Sequence, residues 1–487
     1  MRLIPMNYSP PRSPRVLLGA VFAFVFACFL FTDAVRAQGF GVYEQGTCVM
    51  GRAGATVATG CGDGSSMFFN PANLTGMEAG RFTVSLGATV IDASGDFTYD
   101  PAEAPSAGST VDLQNDPIPV PHGYFGYQLD EKTALGLGIY VPYGLQTKWS
   151  KTLSDGSYFD GAFEGYDNRV QAIYIQPTLS HQISPKLRVG FGPILAVSSV
   201  ELNQLLDLSQ TQTSDTGPTF GQLGVPFHTA FADASLESSN EFGLGANLGV
   251  SYQATEQLRL GARLTTPITI SYSGDASFSQ ISTDLVFPSS SPLAQNGNPT
   301  PADDLVQGQF SGDGDLTDQG VQTELTFPYQ IVVGASYQVT EKLLLLADLQ
   351  YTGWSAFDRI SLSFEKAGRS VREENYNDTQ AVRLGAEYDV LDQLTARLGY
   401  LYNTPAAPDE VVTPLLPEND RNQFTIGVGW RPVEVLEVDA SYQLLGQNDR
   451  RGRVRGPVGN ESVSTNLNQG LYSFGANLFA TTITVRL

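Results

Sequence analysis

Apolar and polar residues alternate along most of this chain in fourteen short segments, joined by gaps that are alternately short and long. The segments cover 81–93, 118–129, 133–149, 168–182, 187–202, 241–253 and 258–272. The remainder cover 321–338, 343–364, 381–388, 394–402, 423–430, 435–444 and 472–487. In one of the clearest, Leu436, Val438, Ala440, Tyr442 and Leu444 face one way, and Glu437, Asp439, Ser441 and Gln443 the other. A period of two is strand geometry. The short gaps carry turn residues: Asp130-Glu131, Ser184-Pro185, Thr255-Glu256, Thr340-Glu341, Leu391-Asp392 and Pro432-Val433. Short turns at one end and long loops at the other predict an all-β transmembrane barrel of even strand number. The largest gap, roughly 274–320, is rich in Ser, Asp, Pro and Gly and is expected to be an extracellular loop.

The alternation also predicts which charges face the lumen: Arg259, Arg263, Arg383, Glu387, Arg397, Glu437 and Asp439. A soluble β-sandwich would need a second sheet to cover the apolar face and would not explain the regular short and long gaps. Trp149, Trp354 and Trp430 lie near predicted strand ends, where interfacial aromatic belts form.

The N-terminus changes the picture. Arg2, Arg12 and Arg15 precede an apolar run from Val16 to Phe31, and Val35-Arg36-Ala37 offers a cleavage site. Residues 1–37 read as a secretory signal peptide, with the mature chain starting at Gln38. The run is short for a spanning helix. Cys28 is not read as a lipoprotein cysteine, because Phe29-Leu30-Phe31 continues the apolar run. Export leads to an oxidising compartment, so Cys48 and Cys61 are predicted to form a disulfide.

A mean hydropathy of -0.10 with 50 Gly, 21 Tyr and 27 Phe suits a chain in which alternate residues meet lipid. The net charge of -22 comes largely from acidic loops and leaves no basic stripe for nucleic acid. No cofactor or metal site is expected. Residues 38–78 are dominated by Gly, Ala, Ser and Thr and lack the strand rhythm. They read either as a periplasmic tail or as a plug, which a barrel of this width would otherwise lack.

Gln38-Gly39-Phe40 and the Asn70-Pro71-Ala72 triplet before the first strand resemble the FadL family of outer-membrane transporters (OMPP1/FadL/TodX). So do Leu137–Leu145, Tyr351–Phe357, Val382–Tyr388 and Leu416–Arg421, in order and spacing. The resemblance implies a fourteen-stranded barrel at 79–487 plugged by an N-terminal hatch at 38–78. It implies passive uptake of hydrophobic molecules, long-chain fatty acids first and neutral hydrocarbons as the alternative. Cargo would leave sideways through an inward kink of the third strand, at Pro142, Tyr143 and Gly144. Proline lacks the ladder N–H, so Pro142 inside a strand pattern marks a bulge there or an extension beyond the membrane. Asn70, Pro71 and Ala72 are expected near that opening.

Basic residues that meet the carboxylate in the family align loosely with Ser199 and Ser361 here. Arg359, two residues from Ser361, is the candidate head-group contact. Outer-membrane lipid and the barrel assembly machinery are the expected partners, and a monomer the expected state. A general porin is the competing transport reading. An enzyme would need a base from His122, His181 or His228, and no Gly-x-Ser-x-Gly element accompanies them. The long loops also leave room for an adhesin or receptor role.

Overall fold

A computed structural model describes residues 39–76, 82–100, 108–214, 216–452 and 470–487. Residues 1–38, which include the expected signal peptide, lie outside the described residues. Fourteen antiparallel strands close into one barrel. They are β1 Phe82–Tyr99, β2 Ile118–Gln128, β3 Thr133–Lys148, β4 Asp167–Ser184, β5 Leu187–Asp207 and β6 Ala230–Gln253. β7 runs Leu258–Thr265 and resumes as Ile268–Gln280; β8 runs Gln319–Phe327 and then Gln330–Thr340. β9 runs Leu343–Thr352 and then Arg359–Phe364. The last are β10 Thr379–Leu391, β11 Leu394–Asn403, β12 Arg421–Val433, β13 Leu436–Gln447 and β14 Gly470–Arg486. β1 pairs with β14 from Thr83↔Arg486 to Tyr99↔Gly470, which closes the wall.

Three strands read as continuous are therefore broken. Pro267 in β7 and Pro328 in β8 cannot donate to the ladder, and a 3-10 turn at Trp354–Ala356 interrupts β9. The predicted loop at 274–320 contains its own small fold. Val286–Phe287 pairs with Thr300–Pro301, a helix follows at Ala302–Val306, and Phe287, Ala302, Val306 and Leu316 pack with Phe220 and Phe231.

The outer face is apolar, with Leu86, Ile139, Leu248, Leu398, Phe424 and Ile483 exposed. The charges turn inward as the alternation requires: Arg263, Arg383, Arg397, Glu437 and Asp439 are buried. On the lipid face each Arg near the midplane would cost about 2–4 kcal/mol.

Inside, these charges meet residues 39–76. Arg52 pairs with Glu387 at 2.6 Å. Arg397 reaches Glu387 at 2.7 Å and Asp439 at 2.5 Å, and Arg486 reaches Glu437 at 2.7 Å. Arg263 lies over the Phe68 ring and Arg383 over the Tyr43 ring. Cys48 and Cys61 are joined, with Cα atoms 6.3 Å apart.

Of the three tryptophans, Trp430 is exposed on the wall, as an interfacial belt requires. Trp149 and Trp354 are buried and correct that reading. Trp149 donates to the Pro414 carbonyl, and Trp354 packs 4.6 Å from Phe40. Both sit where loops fold inward, so strand ends there meet protein instead of lipid.

Candidate transport route

The wall has a defect at β3. β2 and β3 pair only from Gly123↔Ile139 to Gln128↔Ala134. Above Ile139 they part, while Ile118–His122 of β2 keeps its partners on β1. The β3–β4 register shifts between Tyr140 and Tyr143, across Val141 and Pro142. A proline-bearing bulge explains both changes.

The N-terminal segment occupies the freed inner edge. Val42 donates its N–H to the Pro142 carbonyl at 2.8 Å, and Gly144 donates to Phe40 at 3.1 Å. Gln45 brackets Val141, donating to its carbonyl at 2.7 Å and accepting its N–H at 3.0 Å. Val42, Val120 and Val141 pack together across the parting.

Three spaces follow one another from the outside to this point. An outer groove of about 340 Å³ is lined by Phe163, Leu205, Leu206, Phe227 and His228. An inner pocket of about 70 Å³ is lined by Val170, Val200, Tyr272, Leu325, Phe357 and Tyr376. The two share Asn168, Leu202, Ile360, Arg372 and Leu415 as a common neck. A third space of about 130 Å³ borders the parting, against Val42, Ile91, Ile118, Gly144 and Leu478. Phe40, Leu145 and Leu416 divide it from the inner pocket.

Phe40 is held in an aromatic cage, 4.6 Å from Trp354, 5.8 Å from Phe357 and 6.1 Å from Phe327. Before it, Gly39 has φ +62° and lies under the Trp354 ring, where a Cβ would come within 2.4 Å. That position needs glycine. Its N–H donates to Glu418 Oε1 at 3.0 Å, which also accepts from Ala406 at 2.9 Å.

At the short-turn end lies a separate polar vestibule of about 510 Å³. Arg52, Asp63, Glu387, Arg397, Glu437 and Arg486 line it, beside the disulfide. Residues 39–76 stand between this vestibule and the apolar spaces, burying Val49, Met50, Met67, Phe68 and Leu74.

The structure separates residues that the sequence suggested belong together. Pro142, Tyr143 and Gly144 are at the parting, but Phe40–Gln45 meets them there. Asn70, Pro71 and Ala72 pack instead on β4, β5 and β6. Asn70 donates to the Val57 carbonyl at 2.6 Å and the Val250 carbonyl at 3.0 Å, and accepts from Ala72 at 3.1 Å. Ser180 donates to the Ala72 carbonyl at 3.0 Å. A Cβ on Gly190 would lie 2.2 Å from Pro71, and one on Gly249 2.0 Å from Asn70. The motif is thus a backbone dock on two strand glycines. Gly249→Val should prise it off and destabilise the segment by about 1–3 kcal/mol. Faster proteolysis within 39–76 would report this; wild-type protection would refute it.

Arg359 lies outside the linings of the three spaces. It is exposed on the outer side and pairs with Asp358 at 2.9 Å. Ser199 sits in a β5–β6 bulge, and Ser361 accepts from Arg369 at 2.9 Å. Two guanidinium groups line the three described spaces: Arg421 at the start of β12, and Arg372 on the hairpin strand Arg369–Glu373, which no sequence pattern singled out. The histidines lie apart: His122 bonds Thr482, His181 bonds Thr133, and His228 bonds Asp160.

Comparison with known proteins fits this architecture. The model of the family described as outer membrane protein transport protein (OMPP1/FadL/TodX) matches residues 28–486. Outer membrane protein P1 of Haemophilus influenzae is 25% identical over 444 residues, covering 86% of this chain and 88% of that protein. The long-chain fatty acid transport protein of Escherichia coli is 23% identical over 438 residues, covering 86% and 90%. Among solved structures, a Pseudomonas aeruginosa FadL homologue superposes with a TM-score of 0.75 at 19% identity, covering 92% of this chain and all (100%) of that one. The Pseudomonas putida toluene transporter TodX gives 0.64 at 17% identity, covering 93% and 99%. A family match spanning the whole barrel, with outer-membrane relatives on the same fold, makes this chain an outer-membrane member of the OMPP1/FadL/TodX transport family.

Proposed function

We propose that this protein is a passive outer-membrane uptake channel for hydrophobic molecules, which it releases sideways into lipid between β2 and β3. One observation carries the reading: the innermost apolar space borders the place where the β2–β3 ladder stops. Residues 38–78 act as a hatch that denies cargo a straight path to the vestibule, and residues 1–37 are a cleaved signal. An apolar cargo gains by staying out of water, at about 0.8 kcal/mol per CH₂. A lateral exit keeps it in hydrocarbon, whereas a straight pore would deliver it to the aqueous periplasm.

Long-chain fatty acids, for which the E. coli relative is named, and neutral hydrocarbons, such as the toluene of TodX, both suit apolar walls. The protein needs no cofactor for passive flow. It works as a monomer, inserted into outer-membrane lipid by the barrel assembly machinery. A general porin fits less well, because the buried 39–76 segment fills the lumen.

Gly144 tests the exit. A Cβ there meets only Val42 at 3.7 Å and the Val170 carbonyl at 3.9 Å, so a larger residue grows into the parting. Gly144→Arg should fold and reach the outer membrane. Its uptake of radiolabelled methyl palmitate should fall to that of cells without the channel. Normal uptake by a folded, inserted variant would overturn lateral release.

A further inference from the structure

The lipid face carries a trough of about 610 Å³ that the transport route does not use. One wall is a row of long side chains on neighbouring strands. Leu179 of β4 pairs with Phe191 of β5, Phe191 with Leu248 of β6, Leu248 with Leu264 of β7, and Leu264 with Ile331 of β8. All five are exposed on the apolar outer face. The other wall lies two residues nearer the short turns and is lower. It runs from His181 through Val189 and Val250 to Ala262 along the same ladders. Gly190 and Gly249, which seat Asn70 and Pro71 from the inside, also line the trough.

The trough is inclined. His181 stands three residues before the end of β4, and Ile331 nine before the end of β8. One end therefore reaches the short-turn rim and the other the middle of the wall. Five strands spaced about 4.8 Å apart make it about 19 Å long, against about 15 Å for one leaflet's share of the hydrocarbon core. Polar donors gather at the rim end alone. His181 Nδ1 shares a hydrogen bond with Thr133 Oγ1 at 3.1 Å, and its Nε2 has no hydrogen-bond partner among the described residues. Lys132 stands in the turn beside it, where its carbonyl accepts from the Gln182 N–H at 2.7 Å, and Lys186 stands in the turn that ends β4. Both lysines are exposed, and neither ammonium has a hydrogen-bond or ion-pair partner among the described residues. Asp130, in the first of these turns, accepts from the Lys132 N–H through Oδ1 at 2.7 Å.

We propose that this trough binds one acyl chain of an anionic phospholipid from the inner leaflet of the outer membrane, with the phosphate held at His181, Lys132 and Lys186. The trough opens onto hydrocarbon, and an unfilled concavity there would forfeit dispersion contacts along its length. A hydrocarbon chain is therefore its occupant. Donors at one end only select a chain with an anionic head, since exposed lysines beside a bilayer attract lipid phosphates. The rim position selects the leaflet. The tail packs against the outer side of the Gly190 and Gly249 backbone, where the wall is thinnest and the Asn70-Pro71-Ala72 dock presses from within.

The test places the folded protein in phosphatidylcholine liposomes doped with phosphatidylglycerol that carries a diazirine on one acyl chain. After irradiation, the labelled peptides are mapped. Label should be about tenfold denser on the peptides carrying Val250 and Leu264 than on those carrying Phe424 and Ile426, which face lipid elsewhere on the wall. Ala262→Phe fills the trough and should remove that excess. His181→Ala/Lys132→Ala/Lys186→Ala leaves both apolar rows intact and should lower it about tenfold as well, so the test survives if the first variant fails to fold. Even labelling of the wild-type wall overturns the site, as does an excess that Ala262→Phe leaves in place. An undiminished excess in the triple variant overturns the anionic head. Equal labelling by diazirine-bearing methyl palmitate makes the occupant a released cargo chain and overturns the phospholipid. A trough shielded inside a cross-linked pair of barrels makes it a second copy, with the same result.

Discussion

Arg397→Met should loosen residues 39–76 and turn a closed barrel into a conducting one. The Arg397 side chain is almost fully buried, and it neutralises Glu387 at 2.7 Å and Asp439 at 2.5 Å, with Glu437 at 3.8 Å. Its Cβ also lies 3.3 Å from where a Cβ on Gly51 would stand, so the stem props the N-terminal segment. Removing one partner of a buried ion pair costs about 3–5 kcal/mol, because the remaining charge is left uncompensated. Here Asp439 loses the guanidinium that faces it, while Glu387 keeps Arg52 and Glu437 keeps Arg486 and Arg431. The barrel ladder is untouched, so the damage falls on the segment. Planar-bilayer recordings should show steady conductance in the variant and not in the wild type. Arg397→Met/Asp439→Leu, which removes a charge of each sign, should close much of the difference. Wild-type silence in Arg397→Met would show that the ion pairs do not hold the lumen shut.

Removing the Cys48–Cys61 bond should act on the same segment by another route. The two cysteines are 13 residues apart. A loop of that length is worth about 3 kcal/mol on a chain-entropy estimate. The segment is poor in large apolar side chains between the cysteines: Val49, Met50 and Val57 are the main ones. Cys48→Ser/Cys61→Ser should therefore lower the denaturant concentration at which 39–76 becomes open to protease, while the barrel midpoint stays in place. Intact mass after alkylation gives the independent check on the wild type. Two freely alkylated thiols in the unreduced, folded protein would refute the bond.

Strand positions were legible where alternation was strict and uninterrupted, as in β11, β12 and β13. There most inward positions carry polar or small residues, with Leu401 and Leu445 as exceptions, while the outward ones face lipid, and pairing merely joins the pattern. The breaks in β7, β8 and β9 were not legible, because apolar–polar alternation continues through Pro267 and Pro328 even where pairing stops. The β3 bulge could be suspected from Pro142 alone, but what fills the gap could not. Phe40–Gln45 is far from β3 in sequence, and its match is made of backbone hydrogen bonds and the Gln45 side-chain amide, which no apolar–polar pattern advertises. Arg372 was missed for a related reason. Arg359 and Arg372 lie on the two strands of one hairpin, where Ile360 pairs with Arg372. Which strand turns its guanidinium inward depends on how that hairpin leans over the lumen, a tertiary fact. Asn70-Pro71-Ala72 was recognisable as a motif, yet its seat on Gly190 and Gly249 needs two strands brought side by side.

The seam between β1 and β14 sets the order in which this molecule can come together. Every other neighbouring pair of barrel strands is adjacent in the sequence, so those ladders zip up from local hairpins at little cost in loop entropy. The seam is different, since Thr83 must find Arg486 across nearly the whole chain. Long-range pairing of this kind is the slow step of folding. Until it happens, the growing sheet has two open edges, each a template for the wrong partner. Closure also delivers Arg486 to Glu437 and to the Gly62 carbonyl, so the bond that seals the wall is the one that clasps its contents. A chain shortened by its final strand would lose enclosure, and the half-built sheet would be a substrate for quality control.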